Sequence, residues 1–165
     1  MLAFCGQDKS SIDSNGRVKF SPRTSSDFQN ECNGEVVLHC LPEGALAVYP
    51  EDIYMKIRRG ESRSVEKAGN SLVFRRNLRR FGALSSSEKI SAQGRITIPS
   101  GFRKMLDLNP GEEIVVVGAE IGVEIWNSSR WDAEIEQINS HTDEKGAREM
   151  AADLEYSEYK TENHL

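Results

Sequence analysis

An echo at an interval of 78 residues constrains this chain more than any other feature of its sequence. Ile12-Asp13-Ser14-Asn15-Gly16-Arg17-Val18-Lys19-Phe20 returns as Ile90-Ser91-Ala92-Gln93-Gly94-Arg95-Ile96-Thr97-Ile98. Each copy is an apolar residue, a polar turn, Gly-Arg, and a run that alternates apolar and polar. Val36-Val37-Leu38 lies over Ile114-Val115-Val116 at the same offset, and one residue of slippage sets Tyr49 over Trp126 and Tyr54 over Trp131. A repeat of this length means two copies of one fold unit, expected about a pseudo-two-fold axis.

The alternation predicts a strand, a turn at Asp13 to Gly16 and a second strand through Val18 and Phe20. Further strands are expected at Val36–Cys40, Leu46–Tyr49, Ile114–Val117 and Val123–Trp126, with turns at Pro42-Glu43-Gly44 and Asn109-Pro110-Gly111. Pro50-Glu51-Asp52 reads as a helix start, with Pro at the first helical position and carboxylates at the positive end of the dipole. Residues 61–81 read as a basic helix carrying Val65, Leu72 and Leu78 on one stripe, broken or bent at Gly69-Asn70. Pro99-Ser100 opens a helix through Phe102, Met105 and Leu106. Asn127 or Ser128 caps another with Trp131, Ile135 and Ile138. Beyond His141 the reading is a helix with Met150 and Leu154 inward, or a frayed tail. Short alternating strands predict one buried and one wet face per half. A half of about 60 residues is marginal alone, so the halves are expected to share a core. Tyr49, Tyr54, Trp126 and Trp131 are assigned to packing rather than base stacking.

The formal charge of −5 hides a strong polarity. Residues 1–55 carry a net −4, residues 56–104 a net +10, and residues 105–165 a net −11. A chain so divided can attract phosphate on one face and stay soluble. The plainer alternative is that its arginines only solvate helices. The expected organisation is a first repeat at 1–60, a basic helical connector at 61–83, a second repeat at 84–140 and an acidic helix or tail at 141–165.

The chemistry concentrates in the turns. A carboxylate at Asp13 can accept from amides two and three residues on, and Asn15-Gly16 tolerates the positive φ a tight hairpin needs. Arg17 leaves the turn beside that carboxylate, a planar fork suited to bidentate contact with guanine or phosphate. An isolated turn of this kind is commonly just a salt-bridged turn. Its repetition at Gly94-Arg95 argues for more, because a turn needs the glycine but not the arginine after it.

Asp13-x-x-x-Arg17, the pair Gly16-Arg17-Val18 and Gly94-Arg95-Ile96, Arg79-Arg80-Phe81-Gly82-Ala83, and Glu124-Ile125-Trp126 with Trp131 together resemble the MraZ family. These are bacterial transcriptional regulators of the division and cell-wall gene cluster, related to the AbrB and SpoVT swapped-hairpin DNA-binding proteins. The resemblance covers residues 4–140. It implies an α+β fold, a tandem pseudo-two-fold repeat of an AbrB-like, swapped-hairpin, small β-barrel unit with short helices. It also implies a ring-shaped homo-oligomer, octameric in the family, that represses by binding direct repeats of double-stranded DNA in its own promoter. Cytoplasmic, nucleoid-associated localisation would follow. Asp13, Asn15, Gly16 and Arg17, with Ser91, Gln93, Gly94 and Arg95, would be the DNA-binding residues. Arg75, Arg76, Arg79, Arg80, Arg103 and Lys104 are the phosphate-contact candidates. Two departures stand out: the second copy has Ser91 where the motif has Asp, and the Pro and Arg expected after the first copy fall on Ser21 and Ser25.

Other classes find little support. His39 and Cys40 are adjacent in a strand and point to opposite faces, so no metal site is expected; Cys5, Cys32 and His141 show no ligand spacing. No phosphate loop, nucleophile elbow or supported carboxylate pair appears, so neither an enzyme nor a cofactor or small-molecule substrate is expected. No apolar run is long enough to span a bilayer, and Met1-Leu2-Ala3-Phe4-Cys5 does not read as a signal peptide. Three cysteines without regular spacing suit a reducing compartment. The competing readings are an oligomeric protein-interaction scaffold and an AbrB-type global or antitoxin-like regulator.

Overall fold

A computed structural model describes residues 2–59 and 65–162. The chain divides into two compact units, Met1–Ser128 and Ser129–Leu165. In the first repeat, β1 (Gln7–Ser11) and β2 (Arg17–Lys19) are followed by α1 (Pro22–Cys32), β3 (Glu35–Cys40) and β4 (Leu46–Pro50). Helices α2 (Glu51–Arg59), α3 (Val65–Asn70) and α4 (Leu72–Ala83) follow. The second repeat repeats the order as β5 (Ser85–Lys89), β6 (Arg95–Thr97), α5 (Ser100–Leu106), β7 (Glu113–Gly118) and β8 (Val123–Asn127), ending in α6 (Ser128–Glu162).

The strands do not pair within their own repeats alone. One antiparallel sheet runs β1-β7-β8-β4-β3-β5, so each repeat's first strand lies beside the other repeat's third. A second, two-stranded sheet joins β2 to β6. Its register is Arg17↔Thr97, Val18↔Ile96 and Lys19↔Arg95. Exchanging the copies at the 78-residue offset leaves that register unchanged, with Val18 opposite its own counterpart. The β4–β8 pairing behaves alike, with Leu46↔Ile125 and Val48↔Val123 flanking Ala47↔Glu124.

The inward residues of both repeats meet in one core. Ile12, Val18, Phe20, Phe28, Leu38 and Leu46 pack with Ile90, Ile96, Ile98, Leu106, Ile114 and Ile125. Phe28 lies 4.7 Å from Phe4 and 5.6 Å from Phe20 between ring centroids. Truncating such a fully buried ring costs about 3–5 kcal/mol. Neither half could bury these surfaces alone, as the size of each half required.

Helix α1 is the element that the alternation pattern does not announce. Ser21 is its N-cap, accepting from the Thr24 amide at 3.3 Å, with Pro22 at the first turn. Asn33 closes it in the left-handed region at φ 53°. Its single buried residue is Phe28, too few apolar positions to show a helical period.

Three expectations are corrected. The sheet is not wet on one face throughout, because β3 is buried from Val36 to Cys40 and β4 along its whole length. Val36, Leu38 and Cys40 enter the core, while Val37 and His39 are buried on the opposite side. There His39 stacks on Phe81 of α4 at 4.9 Å, and the Arg58 guanidinium of α2 sits 3.8 Å above the same ring. Tyr54 Oη and His39 Nδ1 each lie 2.8 Å from Ser85 Oγ. Second, the apolar stripe of the basic helix is not buried, although the helix does break beside Gly69-Asn70 into α3 and α4. The break falls at Ser71, whose hydroxyl accepts from the Phe74 amide at 3.1 Å and caps α4. Residues 61–64 of that expectation lie outside the described residues, and Val65 and Leu72 are exposed rather than on a buried stripe. Third, α6 runs on to Glu162, yet Met150 is exposed rather than inward. Pro50 ends β4, and the α2 helix begins one residue later at Glu51. Among the described residues, no helix is long and apolar enough to cross a membrane.

Candidate nucleic-acid interface

The two Gly-Arg turns have nearly the same backbone. In the first, the Asp13 amide donates to the Arg17 carbonyl and the Gly16 amide to the Asp13 carbonyl, both at 3.0 Å. In the second, Ser91 and Gly94 make the equivalent bonds, both at 2.9 Å. Gly16 and Gly94 sit at φ +77° and +76°, where a side chain is strained. Each turn is also tied to the opposite repeat: Phe20 donates to the Gly94 carbonyl at 2.8 Å, and Ile98 to the Gly16 carbonyl at 2.9 Å. The turn tips, Ser14, Asn15, Ala92 and Gln93, are exposed, whereas both glycines are buried.

The β2–β6 register brings the two arginines together. In a strand, side chains alternate between faces. Val18 and Ile96 point into the core at 0% and 1% exposure. Arg17, Lys19, Arg95 and Thr97 therefore share the outer face, with Lys19 and Thr97 exposed and the two arginines half-buried. Arg17 and Arg95 are diagonal neighbours, a spacing of roughly 7–8 Å in an antiparallel pair. Lys19 stands directly opposite Arg95. Two like charges in that relation cost stability, so the sheet carries a cationic cluster against its own folding interest. Sequence reading missed Lys19, although its place two residues after Arg17 was the signal.

The side chains of the two turns differ. Asp13 Oδ1 accepts from the amides of Asn15 and Arg17, both at 2.9 Å. Its Oδ2 accepts from Arg17 Nε at 2.9 Å. The hydrogen bond from the Arg17 amide, aided by that guanidinium and the Asn15 amide, holds the Asp13 carboxyl below its usual range. In the second turn Ser91 Oγ accepts from the Arg95 amide alone among the described residues, at 3.1 Å. A hydroxyl reproduces the backbone contact and offers no carboxylate to the guanidinium.

The phosphate-contact candidates separate by exposure. Arg76, Arg79 and Lys104 are exposed. Arg75 and Arg80 are half-buried and donate to the carbonyls of Ala68 at 2.9 Å and Cys40 at 3.1 Å. Arg103 lies behind the first turn, its Nε donating to the Ile98 carbonyl at 3.1 Å. The Cys40 thiol is pushed up to about 11 by burial, which makes it a poor nucleophile and fits its place in the core.

Comparison with known proteins fits this frame. Residues 86–153 match the family model described as "MraZ protein, putative antitoxin-like". The protein named Transcriptional regulator MraZ from Acidithiobacillus ferrooxidans is 31% identical over 135 residues, covering 79% of this chain and 86% of its own. Its namesake from Pediococcus pentosaceus is 30% identical over 86% of this chain and 92% of its own. That from Halothermothrix orenii is 27% identical over 92% and 96%. The solution structure of PHS018 from Pyrococcus horikoshii aligns with 77% of this chain and 94% of its own at 15% identity and a TM-score of 0.35, too distant to inform the fold. With its doubled Gly-Arg turn and relatives at this identity along most of its length, the chain belongs to the MraZ family.

Proposed function

We propose that this protein is a sequence-specific DNA-binding transcriptional regulator rather than an enzyme, and that the β2–β6 ribbon is its reading surface. The observation that carries this is the open face of the ribbon, where Arg17, Lys19 and Arg95 stand together over a fully buried apolar face. A two-stranded ribbon fits the major groove, and an arginine there can hold guanine O6 and N7 with both terminal nitrogens. The relatives' name, Transcriptional regulator MraZ, supports the same reading.

In this reading the fold is a tandem swapped-hairpin unit of AbrB type. Its parts are two repeats (1–60 and 84–140), a basic connector (61–83) and an acidic C-terminal segment (141–165). Exposed Arg76, Arg79 and Lys104 supply phosphate contacts, and Arg75, Arg80 and Arg103 divide their donors between the fold and the backbone of the DNA. One bidentate arginine–guanine pair gives only about 1–3 kcal/mol of discrimination. A single protomer is therefore a weak reader. A ring of protomers facing regularly spaced direct repeats gains its affinity from effective concentration, and occupancy of the protein's own promoter would repress the division and cell-wall gene cluster.

The test is a gel-shift assay on DNA directly upstream of the protein's own gene, at two salt concentrations. The chain should retard that fragment in the presence of unrelated competitor, with affinity falling steeply as salt rises. Arg17→Ala and Arg95→Ala together should abolish the competitor-resistant complex while the oligomeric state is kept. Retention of that complex by the double variant would refute the reading.

A further inference from the structure

The two reading heads are not equivalent, and the asymmetry has two sources that converge on one of them. Beyond the carboxylate clasp on Arg17, each turn is backed by a residue from the other repeat. A Cβ placed on Gly16 would fall 2.9 Å from Arg103 Cζ and 2.9 Å from its Nε, so that guanidinium lies against the first turn. A Cβ placed on Gly94 would run into Ser25 Oγ. Ser25 and Arg103 are themselves related by the 78-residue offset. The first turn thus has Asp13 within it and Arg103 behind it. The second has Ser91 within it and Ser25 behind it.

We propose that Arg17 is the selective head of each protomer, held in one orientation by Asp13 and by Arg103 as a positioning residue, and that Arg95 is a tolerant head that adds affinity with little base preference. This rests on the ribbon being the DNA-reading surface. The backbones of the two turns match to within a tenth of an ångström in their hydrogen bonds, so the difference lies in the side chains. With Nε engaged by Asp13, the two terminal nitrogens of Arg17 form an outward edge already oriented for a guanine. Freedom lost on binding is subtracted from affinity, and Arg17 has given up most of that freedom beforehand. Arg95, whose turn offers its guanidinium no carboxylate, can settle on a guanine, a phosphate or another base edge. Such a head lowers the cost of a mismatch at its own position. An operator for this chain should contain, in every repeat, one strictly kept base step and one loose one.

Selection of bound sequences from a randomised double-stranded DNA library, using the full-length chain and its variants, tests this. The wild type should enrich a motif with unequal positions. Arg17→Ala should erase the strict position. Arg95→Ala should weaken binding about tenfold across all sequences and leave the motif's shape. Ser91→Asp, which restores the carboxylate, should sharpen the loose position. Arg103→Ala should broaden the strict position in a chain that still folds and keeps its oligomeric state, and Arg103→Lys should fail to restore it, since charge without a planar fork does not serve. If Arg103→Ala does not fold, the Ser91→Asp arm decides alone. Equal loss of base preference in Arg17→Ala and Arg95→Ala would overturn the asymmetry and leave the ribbon as reader. A motif unmoved by Ser91→Asp would overturn it as well. Arg103→Ala that lowers affinity uniformly with an unchanged motif would leave Arg103 as a phosphate contact alone and overturn its positioning role. No enrichment of any motif by the wild type would instead remove the DNA-reading function beneath it.

Discussion

Lys19 is where the proposed function and the fold would compete at a single position. It faces Arg95 directly across the ribbon, where a neutral β-former would pack better. Lys19→Thr is therefore expected to raise stability by a few tenths of a kcal/mol while weakening DNA binding. Denaturant midpoints and shift titrations on the same preparation would check both signs. A drop in stability together with unchanged binding would mean that Lys19 serves the fold. Asp13 works the other way. Its carboxylate satisfies two amides and a guanidinium at once, so structure and presentation of Arg17 are served by one group. That double use is why the Asp-x-x-x-Arg spacing was readable from sequence: the geometry of a tight turn dictates the reach of the carboxylate. Lys19 and Arg103 were harder to read. One depends on strand register between distant segments, the other on which helix packs behind which turn.

At the scale of elements, strands with a buried face declared themselves and α1 did not. Strand alternation is visible whenever one face is buried, and the duplicated turn located both hairpins. Helix α1 buries one side chain, and its real signal was the cap Ser21-Pro22 rather than a period. The burial of β3 on both faces was also concealed, because His39 on its outer side looks polar in the sequence. In the fold, burial pushes His39 down, with Arg80 and then Arg58 adding to the effect. The ring therefore takes up a proton less readily in the folded protein than in the unfolded chain, which protonates around pH 6.5. Because the unfolded state binds the extra proton, stability falls as pH falls below about 6.5. Thermal melts should be flat at alkaline pH and slope downward as pH falls through about 6.5, and His39→Gln should flatten that limb. A limb that is unchanged in the variant would assign the acid sensitivity to other groups.

For the molecule as a whole, charge polarity is the property that sequence gave away earliest and local geometry refined. The basic stretch does not act as a uniform patch: Arg58 is buried over Phe81, and Arg75 and Arg80 hold carbonyls. Exposed Arg76 and Arg79 remain the stronger candidates for phosphate. Each phosphate contact contributes a slope of about −0.9 to the dependence of log affinity on log salt. Arg76→Ala with Arg79→Ala should reduce the slope by about 1.8 per bound protomer without changing the preferred sequence. Anisotropy titrations between 50 and 200 mM salt, concentrations of the order used for such slopes, would measure it. An unchanged slope would move the phosphate contacts elsewhere.

The central claim is that guanidinium groups on the ribbon hold guanine in the major groove. Methylation interference measures this directly, because a methyl group on guanine N7 blocks the bidentate contact. With the upstream DNA of the protein's own gene, the account predicts that N7-methylated guanines, recurring once per repeat, are excluded from the wild-type complex, and that the exclusion disappears for Arg17→Ala. A wild-type complex that accepts every methylated guanine, or one whose interference pattern survives in Arg17→Ala, would contradict it.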